Sequence, residues 1–244
     1  MSRVLNSQFS TLNSQLKMPL FKLSKDEFLF PSPELAENNG LLAVGGDLSP
    51  VRILAAYSLG IFPWFNEGEP VLWWSLNPRL ICFPEDARFS KTLLKRIRRK
   101  EFEIRIDTNF RQVIDNCASS QRINQEGTWI TNEVREAYCK LHDLGFAHSF
   151  ETYKDGKLAG GLYGLSLGKM FSGESMFYLQ TDASKVAFYY LTQFAKMQNF
   201  DFIDCQQVSN HLQTLGAKPV KRENFLELLK SAINKETLIG KWNF

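Results

Sequence analysis

"AHSFETYKDGKLAGGLYGLSLGKMFSGESMF", Ala147 to Phe177, holds three apolar runs separated by two turn signals. The runs predict strands over 147–154, 157–165 and 169–176. Asp155-Gly156 supplies two residues tolerant of positive φ, the pairing a two-residue hairpin needs; Leu167-Gly168 is a weaker turn of the same kind. Three strands joined this tightly run antiparallel and form the centre of a sheet. Within the third, Glu174 sits between a glycine and a Met-Phe patch. A carboxylate there is costly to bury unless it is paired or used, so it is either a strand-end surface residue or a functional group.

The flanking segments extend the sheet. Phe89 to Lys100 carries Phe89, Leu93, Leu94 and Ile97 at helical spacing, and "FEIRID" at 102–107 alternates like a strand. Helices are expected over 109–118 and over 131–144, the second opened by Thr131 and closed by Gly145. After the three strands come a helix from Ser184 to about Gln198, a strand over 201–206, and helices near 209–215 and 222–232. The succession resembles the N-acetyltransferase-like fold (GNAT-like), an α+β arrangement whose mixed sheet splays to admit an acyl donor. Upstream, "PSPELAENNGLLAVGGDLSP" is mostly turns around Leu41–Val44. Ser49 caps and Pro50 opens a helix that Gly60 stops. Prolines at 63, 70 and 78 keep the Trp-rich stretch that follows out of regular helix.

Composition narrows the function classes. The 244 residues are 44% hydrophobic, enough for a real core, and 29 Lys and Arg against 26 Asp and Glu leave a net charge of only +3. Affinity for a polyanion must then come from a local cluster. Cys82, Cys117, Cys139 and Cys205 are dispersed, as in a reducing compartment, and the three histidines match no metal spacing. No metal and no cofactor are expected. The polar first twenty residues read as a loose extension without the apolar core of a secretory signal, and no run approaches a membrane span. A soluble, cytoplasmic protein is expected.

Four constellations could carry chemistry. "RFSKTLLKRIRRK" places Arg88, Lys91, Lys95, Arg96, Arg98 and Arg99 on and around one helix with no acid among them. Such a stripe suits a phosphate backbone, ahead of the alternative of an ordinary solvated helix face. Trp64 in "FPWF" and Trp129 in "EGTWIT" stand beside turns, where a ring can stack on an unpaired base or simply pack. In "FIDCQQ", alternation puts Asp204 and Gln206 on one face and Cys205 on the other. The carboxylate and carboxamide suit proton handling beside a polarised carbonyl, or a hydrogen-bonded strand end; Cys205, without a histidine partner, reads as core. The glycines of "LLAVGGD" and "LAGGLYG" fit neither a dinucleotide fingerprint nor a P-loop. The turn before the long helix, "MFYLQTDASK", is not the basic, glycine-rich cradle of a coenzyme A enzyme, so the acyl donor of this fold is something other than acetyl-CoA.

Taken in order, "GLLAVGGDLSP", "GIFPWF", "LWWSLNPR", "EGTWIT", "GGLYG", "FSGESMF", "ASK" and "IDCQ" resemble the leucyl/phenylalanyl-tRNA protein transferases, over about Phe30 to Leu229. The resemblance implies a cytoplasmic leucyltransferase and phenylalanyltransferase. Such an enzyme moves Leu or Phe, less readily Met, from aminoacyl-tRNA to proteins beginning with Arg or Lys, and the product is read by a Clp protease adaptor. It implies a small N-terminal α/β domain over 21–78 and an acyltransferase-like domain over 79–244. It further implies that Asp204 and Gln206 assist the attacking amine and that Trp64 and Trp129 hold the terminal adenine. The transferred side chain would enter a pocket of Leu162, Phe171, Leu191, Ala195 and Ile203. Glu174 would hold an amino group, and the basic helix would bind tRNA. At the two helix positions, 191 and 195, the family commonly has aromatics; here Leu and Ala stand there, with Phe188 and Phe194 nearby. The alternatives are another aminoacyl-tRNA-dependent, peptide-bond-forming transferase and a non-catalytic tRNA-binding module.

Overall fold

The computed structural model describes residues 20–120 and 128–244. The N-terminal extension and the first two residues of "EGTWIT" lie outside the described residues, Leu20 apart.

The central strands form close to where the sequence predicts them, but Leu167 belongs to a strand and pairs with Met170, so the second turn falls at Gly168 and Lys169 instead of Leu167 and Gly168. Strand β7 (Ala147–Lys154) turns into β8 (Lys157–Leu167) through Asp155 and Gly156, at φ 51° and 72°, and β8 returns as β9 (Met170–Tyr178). Gly164 of the "LAGGLYG" run is there for space: a Cβ would stand 2.2 Å from the Ser172 carbonyl oxygen and 2.6 Å from the Phe171 ring. Around these strands a seven-stranded sheet has the order β11-β5-β10-β9-β8-β7-β6. Its other members are β5 (Arg79–Cys82), β6 (Glu103–Ile106), β10 (Phe202–Gln206) and β11 (Lys218–Val220). All neighbours are antiparallel except β9 and β10, which run parallel. A mixed α+β sheet domain results.

Both faces of the sheet are covered, so β7 and β8 are almost continuously buried. On one face Phe150, Leu162, Phe171 and Ile203 pack under helix α5 (Ala183–Met197). On the other, Tyr163, Leu165 and Phe177 meet α3 (Phe110–Ser119) and α4 (Asn132–Asp143). That second cluster continues without a break into the N-terminal segment, whose four strands β1 (Phe21–Leu23), β2 (Leu41–Gly45), β4 (Leu72–Trp74) and β3 (Phe62–Pro63) pair in that order. Helix α1 (Pro50–Ser58) lies between β2 and β3 in the chain. Its Arg52, fully buried, donates to the carbonyl oxygens of Ser24, Lys25 and Glu27 at 2.8–3.1 Å and ties down the loop after β1.

Several boundaries differ from expectation for local reasons. The basic helix α2 runs from Lys91 to Arg98, because Ser90 Oγ accepts the Leu93 amide and begins it there, leaving Phe89 outside. Thr131 caps α4 as expected, whereas Ser49 occupies the cap position of α1 without a side-chain capping bond. Helices α6 (Asn210–Thr214) and α7 (Arg222–Ile233) fall near their expected places. Strands β5 and β11 are additions that local pattern did not reveal. Among the described residues, no helix is long and apolar enough to cross a membrane.

Candidate active site

The parallel pair opens the site. Strands β9 and β10 pair only from Phe202↔Met170 to Asp204↔Ser172. Beyond that point β9 continues to Tyr178 against β8 alone, while β10 shifts register and ends at Gln206, held at φ 58°. The parting strands leave a cavity of about 560 Å³. Gly173, Glu174 and Met176 line it from one side and Cys205 and Gln206 from the other, with Trp64 and Trp129 also in its wall.

Glu174 is 9% exposed and held by a network of neutral donors. Its Oε1 accepts from Tyr57 Oη at 2.7 Å, Gln206 Nε2 at 3.0 Å and Ser172 Oγ at 3.3 Å, and its Oε2 accepts from Tyr138 Oη at 3.1 Å. The two tyrosine oxygens stand 2.6 Å apart, so one of the hydroxyl protons is shared between the partner tyrosine and the carboxyl. Burial pushes the carboxyl up to about 7 despite these donors, with the Asp204 charge adding to the rise. Glu174 is therefore a carboxyl whose charged form is disfavoured by burial, set in the wall of a cavity.

Asp204 is a different kind of carboxylate. Arg79 grips it with two parallel bonds, Nε to Oδ1 at 2.8 Å and Nη2 to Oδ2 at 2.6 Å, and both residues are 1% exposed. The guanidinium lies between the rings of Phe62 and Phe225, each centroid 4.7 Å away. Oδ1 also accepts the Gln206 amide at 2.9 Å, so the pair fixes the backbone turn that aims Gln206. Asp204 lies behind the cavity wall. Gln206 is in the wall, with its Nε2 between Glu174 Oε1 and Ser172 Oγ at 3.3 Å. Cys205, read as core, lines the cavity as well; burial raises its thiol well above the ordinary value, so it is a poor nucleophile.

Of the expected side-chain pocket, Leu162, Leu191 and Ile203 do line the cavity, joined by Phe188. Phe171 and Ala195 do not: they are 0% and 1% exposed, one layer back in the same hydrophobic cluster. Trp129 is only 5% exposed and Trp64 is half-buried, its carbonyl oxygen accepting Trp74 Nε1 at 2.6 Å.

On α2 the side chains of Lys91, Lys95 and Arg98 are exposed, as are those of Arg88 and Arg99 at its two ends. Arg96 is the exception. It bonds Glu101 at 2.8 Å and Asp182 at 2.9 Å, so its charge is used within the protein, and it joins the helix to the β9–α5 turn. That turn borders a second hollow of about 500 Å³, which shares Met176 and His211 with the main cavity and reaches Asp182 and Lys185. The two hollows thus adjoin at Met176 and His211. Among the described residues, no group of three or more His, Cys, Asp or Glu side chains is arranged to hold a metal ion.

Arg79, Tyr57, Tyr138 and Ser172 are the site residues that sequence reasoning missed. Tyr57 and Tyr138 were not singled out in the sequence; both are buried in the core on helices α1 and α4. Arg79 ends the "LWWSLNPR" motif, and an arginine directly after a proline at a strand start was the available signal.

Comparisons with known proteins agree with one another. The leucyl/phenylalanyl-tRNA protein transferase family matches residues 81–230, and the N-terminal domain of the same family matches residues 46–77. A leucyl/phenylalanyl-tRNA–protein transferase of Maridesulfovibrio salexigens is 53% identical over 93% of this chain and 95% of its own length. That of Chromobacterium violaceum is 50% identical over 89% and 94%. Solved structures are more distant: L-PGS from Bacillus licheniformis is 13% identical, with a TM-score of 0.39 over 69% of this chain and 53% of that one.

Proposed function

The chain belongs to the leucyl/phenylalanyl-tRNA–protein transferase family, and from that premise we propose how its own residues carry an aminoacyl group from tRNA to a protein N-terminus. It is an enzyme of that class, and aminoacyl-tRNA is its donor. The finer reading is that the donors are Leu-, Phe- and, less readily, Met-tRNA and that the acceptors begin with Arg or Lys. The reaction then takes place in the cytoplasm, on an N-acetyltransferase-like sheet, and the product is read by a protease adaptor.

An aminoacyl ester is already activated, so the protein needs to position the reactants, move one proton and stabilise charge. In this reading the terminal adenine lies against Trp64 and Trp129, and the aminoacyl side chain enters the slot of Leu162, Leu191 and Ile203. The acceptor α-amine stands at Glu174. Its nitrogen attacks the ester carbonyl, a C–N bond forms and the C–O bond to the ribose breaks. Glu174 takes the proton that the amine loses and returns it to the departing ribose oxygen. A carboxyl near 7 is well matched to an α-amino group whose ordinary value is about 7.7–8.0. Gln206 donates toward the same place. Asp204, bound to Arg79, orients Gln206 through its amide.

The observation that carries the reading is the parting of β9 and β10 around Glu174, with an apolar slot on one side and two tryptophans in the wall. Incubating the protein with labelled Leu-tRNA and a peptide beginning with Arg tests it. Acid-stable label on the peptide, absent when its N-terminus is acetylated, is the expected result. Tight tRNA binding that ignores the aminoacyl group, with no label transferred, would favour a binding module instead.

A further inference from the structure

Residues 238–244 have no part in the reading above, yet Trp242 among them is buried in the cluster that also holds the slot's wall. Gly240 N donates to Gly145 O at 3.1 Å, and Trp242 N donates to Asp107 Oδ2 at 2.9 Å. Asp107 is itself held by the Ser149 amide at 2.9 Å and by His148 Nδ1 at 2.8 Å. Trp242 Nε1 donates back to Leu238 O at 3.0 Å, closing the segment on itself. The indole, 4% exposed, is clamped between two rings: His148 stacks on it at 3.5 Å and 9°, and Phe194 at 4.6 Å and 21°. Phe171 leans on it at 6.1 Å and Phe200 meets it edge-on at 5.7 Å.

Phe171 and Phe194 are the layer directly behind the aminoacyl slot. Phe171 is the register partner of Ile203 across the parallel pair, and Phe194 lies one helical turn beyond Leu191 on α5. Ile203, Leu162, Leu191 and Trp242 all belong to one contiguous cluster. A close-packed interior transmits a change of volume to its neighbours, so the indole limits how far the slot's wall can recede. The slot is lined here by Leu162, Leu191 and Ile203 together with Phe188, and side chains around an emptied site relax part of the way into the space behind them.

We propose that Trp242, pinned by Asp107 and His148, is a positioning residue that sets the depth of the aminoacyl slot and hence which side chain is transferred. The C-terminal segment is then a specificity element that acts through Phe171 and Phe194 without touching the substrate. The inference rests on the aminoacyl-transfer reading.

Its test is the ratio of kcat/KM for Phe-tRNA to that for Leu-tRNA, with one Arg-initiated peptide as acceptor. Trp242→Ala, which empties space behind the slot, should raise the ratio about fivefold or more, and Trp242→Phe should raise it less. Adding indole to Trp242→Ala should return the ratio to within about twofold of wild type, as an apolar ligand refills an apolar cavity. A purely structural tryptophan would lower both rates together and leave the ratio unmoved. Should Trp242→Ala prove unfolded by circular dichroism, the ratio is read on Trp242→Phe and Trp242→Leu. A ratio unchanged in the folded variants, or a shift that indole leaves in place, overturns the proposal. Wild-type protein that transfers neither residue would instead sink the functional reading on which it rests.

Discussion

Glu174 and Asp204 are two carboxylates on neighbouring strands whose surroundings give them opposite tasks. Glu174 has only neutral donors and is pushed up to about 7; Asp204 has a buried guanidinium bound through both oxygens. Wild-type transfer should therefore slow as pH falls through about 7 and Glu174 gains its proton. Glu174→Gln should lose that limb and turn over at least about 100-fold more slowly, as removal of a proton-transfer group does. The same limb surviving in the variant would reassign the titration. Stability follows from the same shift. The folded carboxyl, near 7, holds a proton that the unfolded one, near 4.5, releases earlier. Its contribution is complete below the unfolded value and is lost as pH rises through the folded one, a difference on the order of 3 kcal/mol. Denaturant titrations across that window should show wild type losing stability that Glu174→Gln keeps. Arg79→Met removes one partner of a buried pair and should cost about 3–5 kcal/mol, measurable as a lowered unfolding midpoint. A variant as stable as wild type would contradict the burial of Asp204. "FIDCQQ" marked Asp204 and Gln206 as candidates but not the ion pair, because the partner that defines Asp204 is 125 residues away.

The elements divide by how local their causes are. The β7–β8 hairpin was legible because Asp155 and Gly156 carry its backbone geometry themselves, and α4 because Thr131 caps it. Strand β11 is three residues long with Pro219 at its centre, and it exists only as an edge partner for β5. Strand β5 is buried on both faces, so it shows no alternation to read. The site's geometry also escaped the pattern, since the register shift after Asp204 breaks the alternation that a strand reading assumes. Helix α2 was legible in charge but not in use: Arg96 is spent on Glu101 and Asp182, leaving Lys95, Arg98 and Arg99 exposed. Reversing Lys95 and Arg99 to Glu should raise the KM for aminoacyl-tRNA about tenfold and flatten the slope of log affinity against log salt by about 2. An unchanged slope would remove the helix from the tRNA interface.

At the scale of the molecule, the two sheets share one hydrophobic cluster. Ile53, Tyr57 and Trp73 of the N-terminal segment pack with Phe110, Tyr138 and Tyr163 of the larger sheet domain. The Tyr57–Tyr138–Glu174 bonds cross the same junction, so the N-terminal segment supplies part of the site's electrostatics. Calorimetry should accordingly record a single cooperative unfolding transition, and two separated transitions would mean that the units are energetically independent. The central claim is that the parting of β9 and β10 is where the aminoacyl group changes hands. A single-turnover experiment with labelled Leu-tRNA and an Arg-initiated peptide tests it most directly, comparing wild type with the Glu174→Gln, Gln206→Ala double variant. The account predicts rapid transfer by wild type, and a double variant that still retains Leu-tRNA on a filter while transfer is all but abolished. Transfer by the double variant at the wild-type rate would contradict it.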